Sequence, residues 1–475
     1  MALAEKLLRK PRLSAFFLGG ITAAGFAPLF FWPLSLLSLG GVFMLLFSAK
    51  NPYTIKDVLF PGWLFGVGFS LASLWWMGAA FRYTGLGGWA LAAAPFAILG
   101  LSAVMGLWYM ATFALAAAVK KHLPKWLFPV ALALAWVLME AVRTQGVYGL
   151  PWHLAGYIFA GNLYLIQAAA FGSVLLLSFL AVLLPAAVAL TPRQTALIYG
   201  ALVVCVFGGG AYRVINAPDL SPRGTVSLYH TSLAQDVKWQ TPSYKLAHQT
   251  IKALQQAPHA AQLVILPETV FTFLKQAAPD LSRMVAEALP QKTGAVFGIP
   301  SFREGIYGNT ALSVSAEGDV LGSYSKKLLV PFGEFIPLQE FMPAFLKQFA
   351  PANAYSAGSG ARVLETSIGT GLPVICYEVI FPYHIRQAQK QHNPLFMVNL
   401  TNDGWFAGTS GPHQHNAIAR LRSVETGLSQ VRATNKGISG FIDGYGRVTY
   451  RSDVGRSGFL TGSVFEQAPT FGSRK

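Results

Sequence analysis

A multispan α-helical membrane bundle followed by an α/β domain is the fold class this sequence predicts, on three observations. The chain is 53% hydrophobic and 12% charged with a mean hydropathy of +0.44, too apolar for an ordinary soluble protein. Its charges are uneven: of 36 Lys/Arg and 20 Asp/Glu, residues 1–213 hold only 13 and 3. Beyond Arg213, long apolar stretches give way to short β-rich runs alternating with helical patterns. The expected division is therefore residues 1–213 as a transmembrane helical bundle and residues 214–475 as a water-soluble domain.

The apolar stretches are 13–31, 33–49, 58–80, 89–119, 126–142, 162–190 and 195–212, each near the ~20 residues a crossing needs. The first two run together without charge around Pro28 and Pro33, so they read as two spans or as a hairpin. The 89–119 stretch exceeds one crossing and calls for tilt or extension beyond the bilayer. The count is seven. Lys6, Arg9, Lys10 and Arg12 precede the first span; Lys50 and Lys56 follow the second, Lys120, Lys121 and Lys125 the fourth, and Arg193 the sixth. The alternate loops carry only Arg82 and Arg143, so the positive-inside rule puts the N-terminus in the cytoplasm. An odd count then puts everything after about Arg213 on the outer side. The N-terminal stretch lacks a small-residue cleavage site and is followed by more spans, which reads as a retained anchor.

Within the apolar half, Glu140 and Arg143 lie one helical turn apart, the spacing of an ion pair facing the bundle. His153, in the loop Gly149-Leu150-Pro151-Trp152-His153, reads as structural. The net charge of +16 raises nucleic acid as a partner, but no Lys/Arg-rich cluster with interleaved aromatics exists, and basic residues flanking spans account for much of the excess. Two cysteines, Cys205 inside an apolar segment and Cys376, make no disulfide framework.

In the second half, strands are expected at Thr225–Tyr229, Leu263–Leu266, Ala295–Ile299, Thr310–Val314, Pro373–Cys376 and Leu395–Leu400. Helices are expected at Pro242–Gln256, Asp280–Leu289, Tyr383–Gln391 and Gln414–Thr426. Strands mixed with helices argue a layered α/β domain. The apolar loop 338–360, with Phe341, Met342, Phe345, Leu346 and Phe349, reads either as a membrane-touching flap or as ordinary core.

Three segments carry chemistry. Leu263-Val264-Ile265-Leu266-Pro267-Glu268-Thr269 delivers Glu268 just past a buried strand. Tyr324-Ser325-Lys326-Lys327-Leu328-Leu329-Val330-Pro331-Phe332-Gly333-Glu334 carries two lysines and an acid. Leu372-Pro373-Val374-Ile375-Cys376-Tyr377-Glu378 ends an apolar run on a thiol with a carboxylate two residues on. A thiol becomes a nucleophile when a base removes its proton and a cation stabilises the thiolate. A lysine also stabilises the oxyanion of a tetrahedral intermediate. Each residue alone has a plain reading: Glu268 as a helix cap, either lysine as a solvated surface group, Cys376 as inert core. His413-Gln414-His415 has no third metal ligand nearby and reads as structural or loop.

Taken together, in this order and spacing, the three segments resemble the nitrilase, or carbon–nitrogen hydrolase, superfamily with its Glu–Lys–Cys triad. The multispan first half, the Leu329–Glu334 segment and Thr401-Asn402-Asp403-Gly404-Trp405-Phe406 narrow the resemblance to the apolipoprotein N-acyltransferase family, over nearly the whole chain. The resemblance implies a nitrilase-like αββα sandwich. It implies Glu268 as general base, Lys326 as the catalytic lysine and Cys376 as the acyl-accepting nucleophile, with Glu334, Tyr377 and Glu378 in support. Trp239, Asn309, Asn402 and Trp405 are implied substrate-binding positions. The implied reaction moves an acyl chain from a phospholipid, phosphatidylethanolamine above all, through a Cys thioester. The acceptor is the N-terminal amine of the diacylglyceryl-cysteine of a lipoprotein, on the periplasmic side of a bacterial inner membrane, with no cofactor or metal. Members of the family usually carry a further span after the soluble domain; here the chain runs to Lys475 without an apolar run. Two rivals remain: a membrane-anchored amidase using the same triad, and a non-catalytic membrane scaffold, against which intact Glu268, Lys326 and Cys376 argue.

Overall fold

The computed structural model describes residues 10–48, 54–83, 88–145, 149–303, 305–337, 354–452 and 455–470. Residues 338–353 of the apolar loop, with Phe341, Met342, Phe345, Leu346 and Phe349, lie outside them. Two compact units result. Met1–Gln145, Gly149–Ala217 and Gly408–Leu421 form one, and Gly146–Tyr148, Pro218–Ala407 and Arg422–Lys475 the other.

Among the described residues before Ala217 the first unit holds seven α-helices: α1 (Pro11–Thr22), α2 (Trp32–Phe47), α3 (Ile55–Leu74), α4 (Gly88–Lys120), α5 (Phe128–Arg143), α6 (Ala169–Leu190) and α7 (Arg193–Ile215). Four apolar helical stretches are long enough to cross a membrane: Ile55–Tyr83, Gly88–Lys120, Leu165–Leu190 and Arg193–Ile215. By length and composition the expectation of seven full crossings thus meets four among the described residues. Helices α1, α2 and α5 have 12, 16 and 16 residues, short of the ~20 that hydrocarbon requires. The 33 residues of α4 span about 50 Å, well beyond one hydrocarbon thickness. Helices α1 and α3 meet through a small residue: a Cβ on Gly19 would lie 2.0 Å from the Phe65 carbonyl oxygen. The Glu140–Arg143 pair forms only at 3.9 Å. Glu140 is held more closely by the Trp136 indole N–H at 2.9 Å and the Ala155 amide at 2.7 Å. Arg143 reaches the buried His153 at 3.3 Å. Cys205 lies within the apolar helix α7, on its exposed face.

The segment Gly408–Leu421 is fastened to this unit at Gln414, at His415 against Trp152 and at Arg420, which donates to the Ala160 carbonyl at 3.4 Å. Gln414 accepts from the indole N–H groups of Trp76 (3.2 Å) and Trp152 (3.0 Å) and donates to the carbonyls of Ser73 (3.2 Å) and Ala27 (3.4 Å). A buried amide with its polar atoms satisfied ties a segment firmly.

The second unit is built of β1 (Pro222–His230), α8 (Gln235–Gln240), α9 (Ser243–Leu254), β2 (Leu263–Ile265), α10 (Leu281–Ala288), β3 (Gly294–Arg303), β4 (Ile306–Val314), β5 (Val320–Ser325), β6 (Leu364–Thr366), β7 (Gly369–Ile375), α11 (Pro382–His392), β8 (Phe396–Asn402), α12 (Gly411–Thr426, whose first eleven residues group with the other unit), β9 (Ser429–Asn435), β10 (Gly440–Ile442), β11 (Val448–Arg451) and β12 (Gly458–Phe465). Two six-stranded sheets form, ordered β12-β1-β2-β3-β4-β5 and β11-β10-β9-β8-β7-β6. Strands β1, β2 and β3 run parallel, as do β7, β8 and β9.

Alternation along β2 explains the layering. Leu263 and Ile265 pack in one core with Ile375, Val398, Leu400 and Val431 of the other sheet. Val264 and Leu266 face a second core with Leu254 of α9 and Leu281 and Val285 of α10. A strand buried on both faces reads as a continuous apolar run, which is why this one was visible in the sequence. Helix α11 is the crossover between parallel β7 and β8. The inner face of its sheet is already occupied by the shared core, so α11 takes the outer one. The result is the αββα sandwich.

Candidate active site

Each reactive side chain sits at or just beyond a strand end. Glu268 lies three residues past β2, in a turn that brings its backbone against Gly298; a Cβ there would come within 2.3 Å of the Thr269 amide. Thr269 has φ +49°. Cys376 follows β7 directly with φ +50°, a left-handed backbone that costs a non-glycine residue about 1–3 kcal/mol and persists where surrounding structure enforces it. The carboxyl ends of parallel strands are where α/β sheets place their sites. Lys326 follows β5, pinned by its amide to the Asn309 carbonyl (2.8 Å) and by its carbonyl to the Gly358 amide (2.8 Å).

These elements bring four polar side chains together. The Lys326 ammonium, 1% exposed, lies 2.9 Å from Glu334 Oε1 and 3.5 Å from Glu268 Oε1. Asn309 Nδ2 donates to the same two oxygens, at 2.7 Å to Glu268 and 3.0 Å to Glu334. The second Glu334 oxygen accepts from the Val330 amide at 2.8 Å, fixing the loop after Lys326. The lysine thus stands between two carboxylates that one amide also holds apart.

The electrostatics bind Cys376 into this group. Burial alone would lower Lys326, but the charges of Glu334, Glu268 and Cys376 more than reverse it, so it remains an ammonium. Burial and the Glu268 charge push the Cys376 thiol well up, Asp403 adds to this, and Lys326 and the Asn402 backbone N–H pull the other way. The Cys376 thiol is thus held neutral, within the field of Glu268 and Lys326. Tyr377 is raised by burial, with Lys326 and Glu334 acting in opposite directions, and burial and the two carboxylates push Tyr355 up to about 12.

Not all expected residues join this group. Glu378 is fully buried but bonded elsewhere: its carboxylate accepts from the amides of Ile375 (2.8 Å), Lys327 (2.9 Å) and Leu328 (3.3 Å), from the Tyr324 hydroxyl (2.7 Å) and from Arg362 (3.0 Å). It ties the turn Cys376–Ile380 to the segment that carries Lys326. Lys327 is partly exposed and contributes its backbone. The Asn402 side chain donates to Gln235 (3.1 Å) and accepts from Gly404 and Asn435, capping the turn Asp403–Phe406. Trp239 is half exposed on α8 and Trp405 half buried. His413 and His415 lie on α12, a helix rather than a loop. Among the described residues, no group of three or more His, Cys, Asp or Glu is placed to hold a metal ion.

Sequence reasoning missed Lys238, whose ammonium, 3% exposed, donates to the Glu268 carbonyl oxygen at 3.4 Å. It also missed Arg432, fully buried on β9, which pairs with Asp403 at 3.0 Å and donates to Asn399 at 2.6 Å. The one available signal was an acid, Asp403, in a turn near the site with no visible partner.

Comparison with known proteins adds the following. Residues 18–187 match the model of the apolipoprotein N-acyltransferase N-terminal domain, and residues 232–464 that of the carbon–nitrogen hydrolases. An apolipoprotein N-acyltransferase from Rhizobium etli is 33% identical over 438 residues, covering 87% of this chain and 81% of that protein. One from Rhodopseudomonas palustris is 29% identical, covering 98% and 91%. Among solved structures, an amidase from Nesterenkonia sp. is 19% identical with a TM-score of 0.40, covering 53% of this chain and 95% of that one.

Proposed function

The chain belongs to the apolipoprotein N-acyltransferase family, and from that premise we propose that it N-acylates lipoproteins through a thioester on Cys376. One observation carries the residue assignment: a fully buried Lys326 held between Glu268 and Glu334 in the field of a strand-end thiol. Glu268 takes the Cys376 proton as sulfur attacks the sn-1 ester carbonyl of a phospholipid, with phosphatidylethanolamine the expected donor. Lys326 stabilises the oxyanion. On collapse the ester C–O bond breaks, the lysophospholipid oxygen recovers the proton from Glu268, and the acyl chain remains on sulfur. The α-amine of a diacylglyceryl-cysteine then attacks the thioester, its proton passes through Glu268 to the departing sulfur, and the amide is released. Donor and acceptor are both bilayer-bound, which fits a site carried by a chain with membrane-capable helices. The alternation of basic loops supports an inner-membrane protein with its second unit on the periplasmic side, a reading that requires the shorter helices α1, α2 and α5 to pass the bilayer along with the four longer ones.

Incubation with acyl-labelled phosphatidylethanolamine tests the reading. The expected result is label on Cys376 in the absence of acceptor, discharged onto the N-terminus of a diacylated lipopeptide when that is added. Label appearing only from a soluble amide, with no lipid-derived thioester, would replace it by the amidase reading that the carbon–nitrogen hydrolase match keeps open.

A further inference from the structure

The second buried ammonium of the pocket has no role in the reaction as derived. Lys238 sits on the short helix α8, beside the half-exposed Trp239, and its amine lies 5.8 Å from that ring. Burying an ammonium is costly unless something compensates it. Its hydrogen bond to the Glu268 carbonyl, at 3.4 Å, is long for an N–H···O contact. The charges that favour it are those of the Glu268 carboxylate and Cys376, while burial pulls its pKa down to about 8.

The charges of the pocket show what this ammonium does. Glu268 and Glu334 share Lys326, two carboxylates against one cation. Asp403 also faces Cys376, but Arg432 pairs with it. Tyr355 and Tyr377, raised, stay neutral. With Lys238 the group is balanced, both as Glu268 carboxylate with thiol and as protonated Glu268 with thiolate. Without it, a net negative charge stands beside the sulfur that must ionise. We propose that Lys238 is a positioning residue: its ammonium balances the second carboxylate of the pocket and so lets Cys376 reach its thiolate form. The proposal rests on the reading of Cys376 as the nucleophile.

The test is alkylation of Cys376 by iodoacetamide in the purified full-length protein, followed by mass spectrometry of the peptide carrying it, from pH 6 to 10. Wild type is compared with Lys238→Met, Lys238→Gln and Lys238→Arg, with a melting curve for each. Loss of one nearby opposite charge shifts a titration by about one unit or more, so both neutral variants should label about tenfold more slowly below the midpoint. Lys238→Arg should follow wild type up to about pH 8 and label faster above it, where the lysine loses its charge and the guanidinium does not. A folded neutral variant whose profile overlies wild type would overturn the proposal and reduce Lys238 to a prop for the Glu268 carbonyl. Wild-type Cys376 unlabelled at every pH would overturn the nucleophile reading beneath it, a failure visible before any variant is made.

Discussion

Cys376 holds a left-handed backbone because β7 must end there to aim its side chain while Glu378 pulls the next turn back onto the strand. Glycine adopts that conformation without cost, so Cys376→Gly should be more stable than Cys376→Ala by about 1 kcal/mol in denaturation, with neither forming a thioester. The two neighbouring lysines separate in the same way. Lys326 is buried between carboxylates, whereas Lys327 acts through its amide, which alanine keeps. Lys326→Ala should abolish acyl transfer and Lys327→Ala leave it within about twofold, measured as lipopeptide N-acylation; the reverse order would mean the wrong lysine had been assigned. Lys238 predicts a pH effect on stability. Its folded pKa of about 8 lies below the ordinary lysine range, so between about pH 8 and 10 the unfolded state binds more protons and native stability rises with pH. Below pH 8 both states are protonated and this slope vanishes. Melting of wild type minus that of Lys238→Met should follow this course.

At the scale of elements, the site is a meeting of strand ends fastened by carboxylates whose oxygens are taken up by backbone and side-chain donors. Glu378 joins the turn after β7 to the segment after β5 through five donors, one of them the buried Arg362. Removing one partner of a buried pair strands the other charge, at about 3–5 kcal/mol. Glu378→Ala should therefore lower the melting temperature sharply and loosen the nucleophile turn to proteolysis, while Glu378→Gln, which keeps an acceptor oxygen, should fall between. Equal melting of Glu378→Ala and wild type would contradict this. The pairing of Arg432 with Asp403 does the same for the turn that follows β8.

For the whole molecule, the charge pattern of the first unit makes a prediction about topology. Lys390, exposed on α11, belongs to the half that we propose lies outside, on the reading of the basic loops. In a Cys205→Ser background, Lys390→Cys should react with a membrane-impermeant maleimide applied to cells whose outer membrane alone is permeabilised. Protection until the inner membrane is lysed would put that half in the cytosol and end the periplasmic reading.

What the sequence determined by itself was whatever local pattern encodes. Long apolar runs made the helices of the first unit legible, and doubly buried parallel strands made β2, β7 and β8 legible, with a polar residue at each end. Strand β9, Ser429-Gln430-Val431-Arg432-Ala433-Thr434-Asn435, was not legible: it is buried throughout yet mostly polar, and becomes tolerable only where Arg432 finds Asn399 and Asp403. Nothing in its local sequence singles out Lys238, and Gln414 stands there only as the middle of His413-Gln414-His415 and the start of an expected helix. Burial, pairing and charge balance arise between residues tens to hundreds of positions apart, so which ammonium is buried beside the thiol, and which glutamate serves as a tether, was decided only by the tertiary structure.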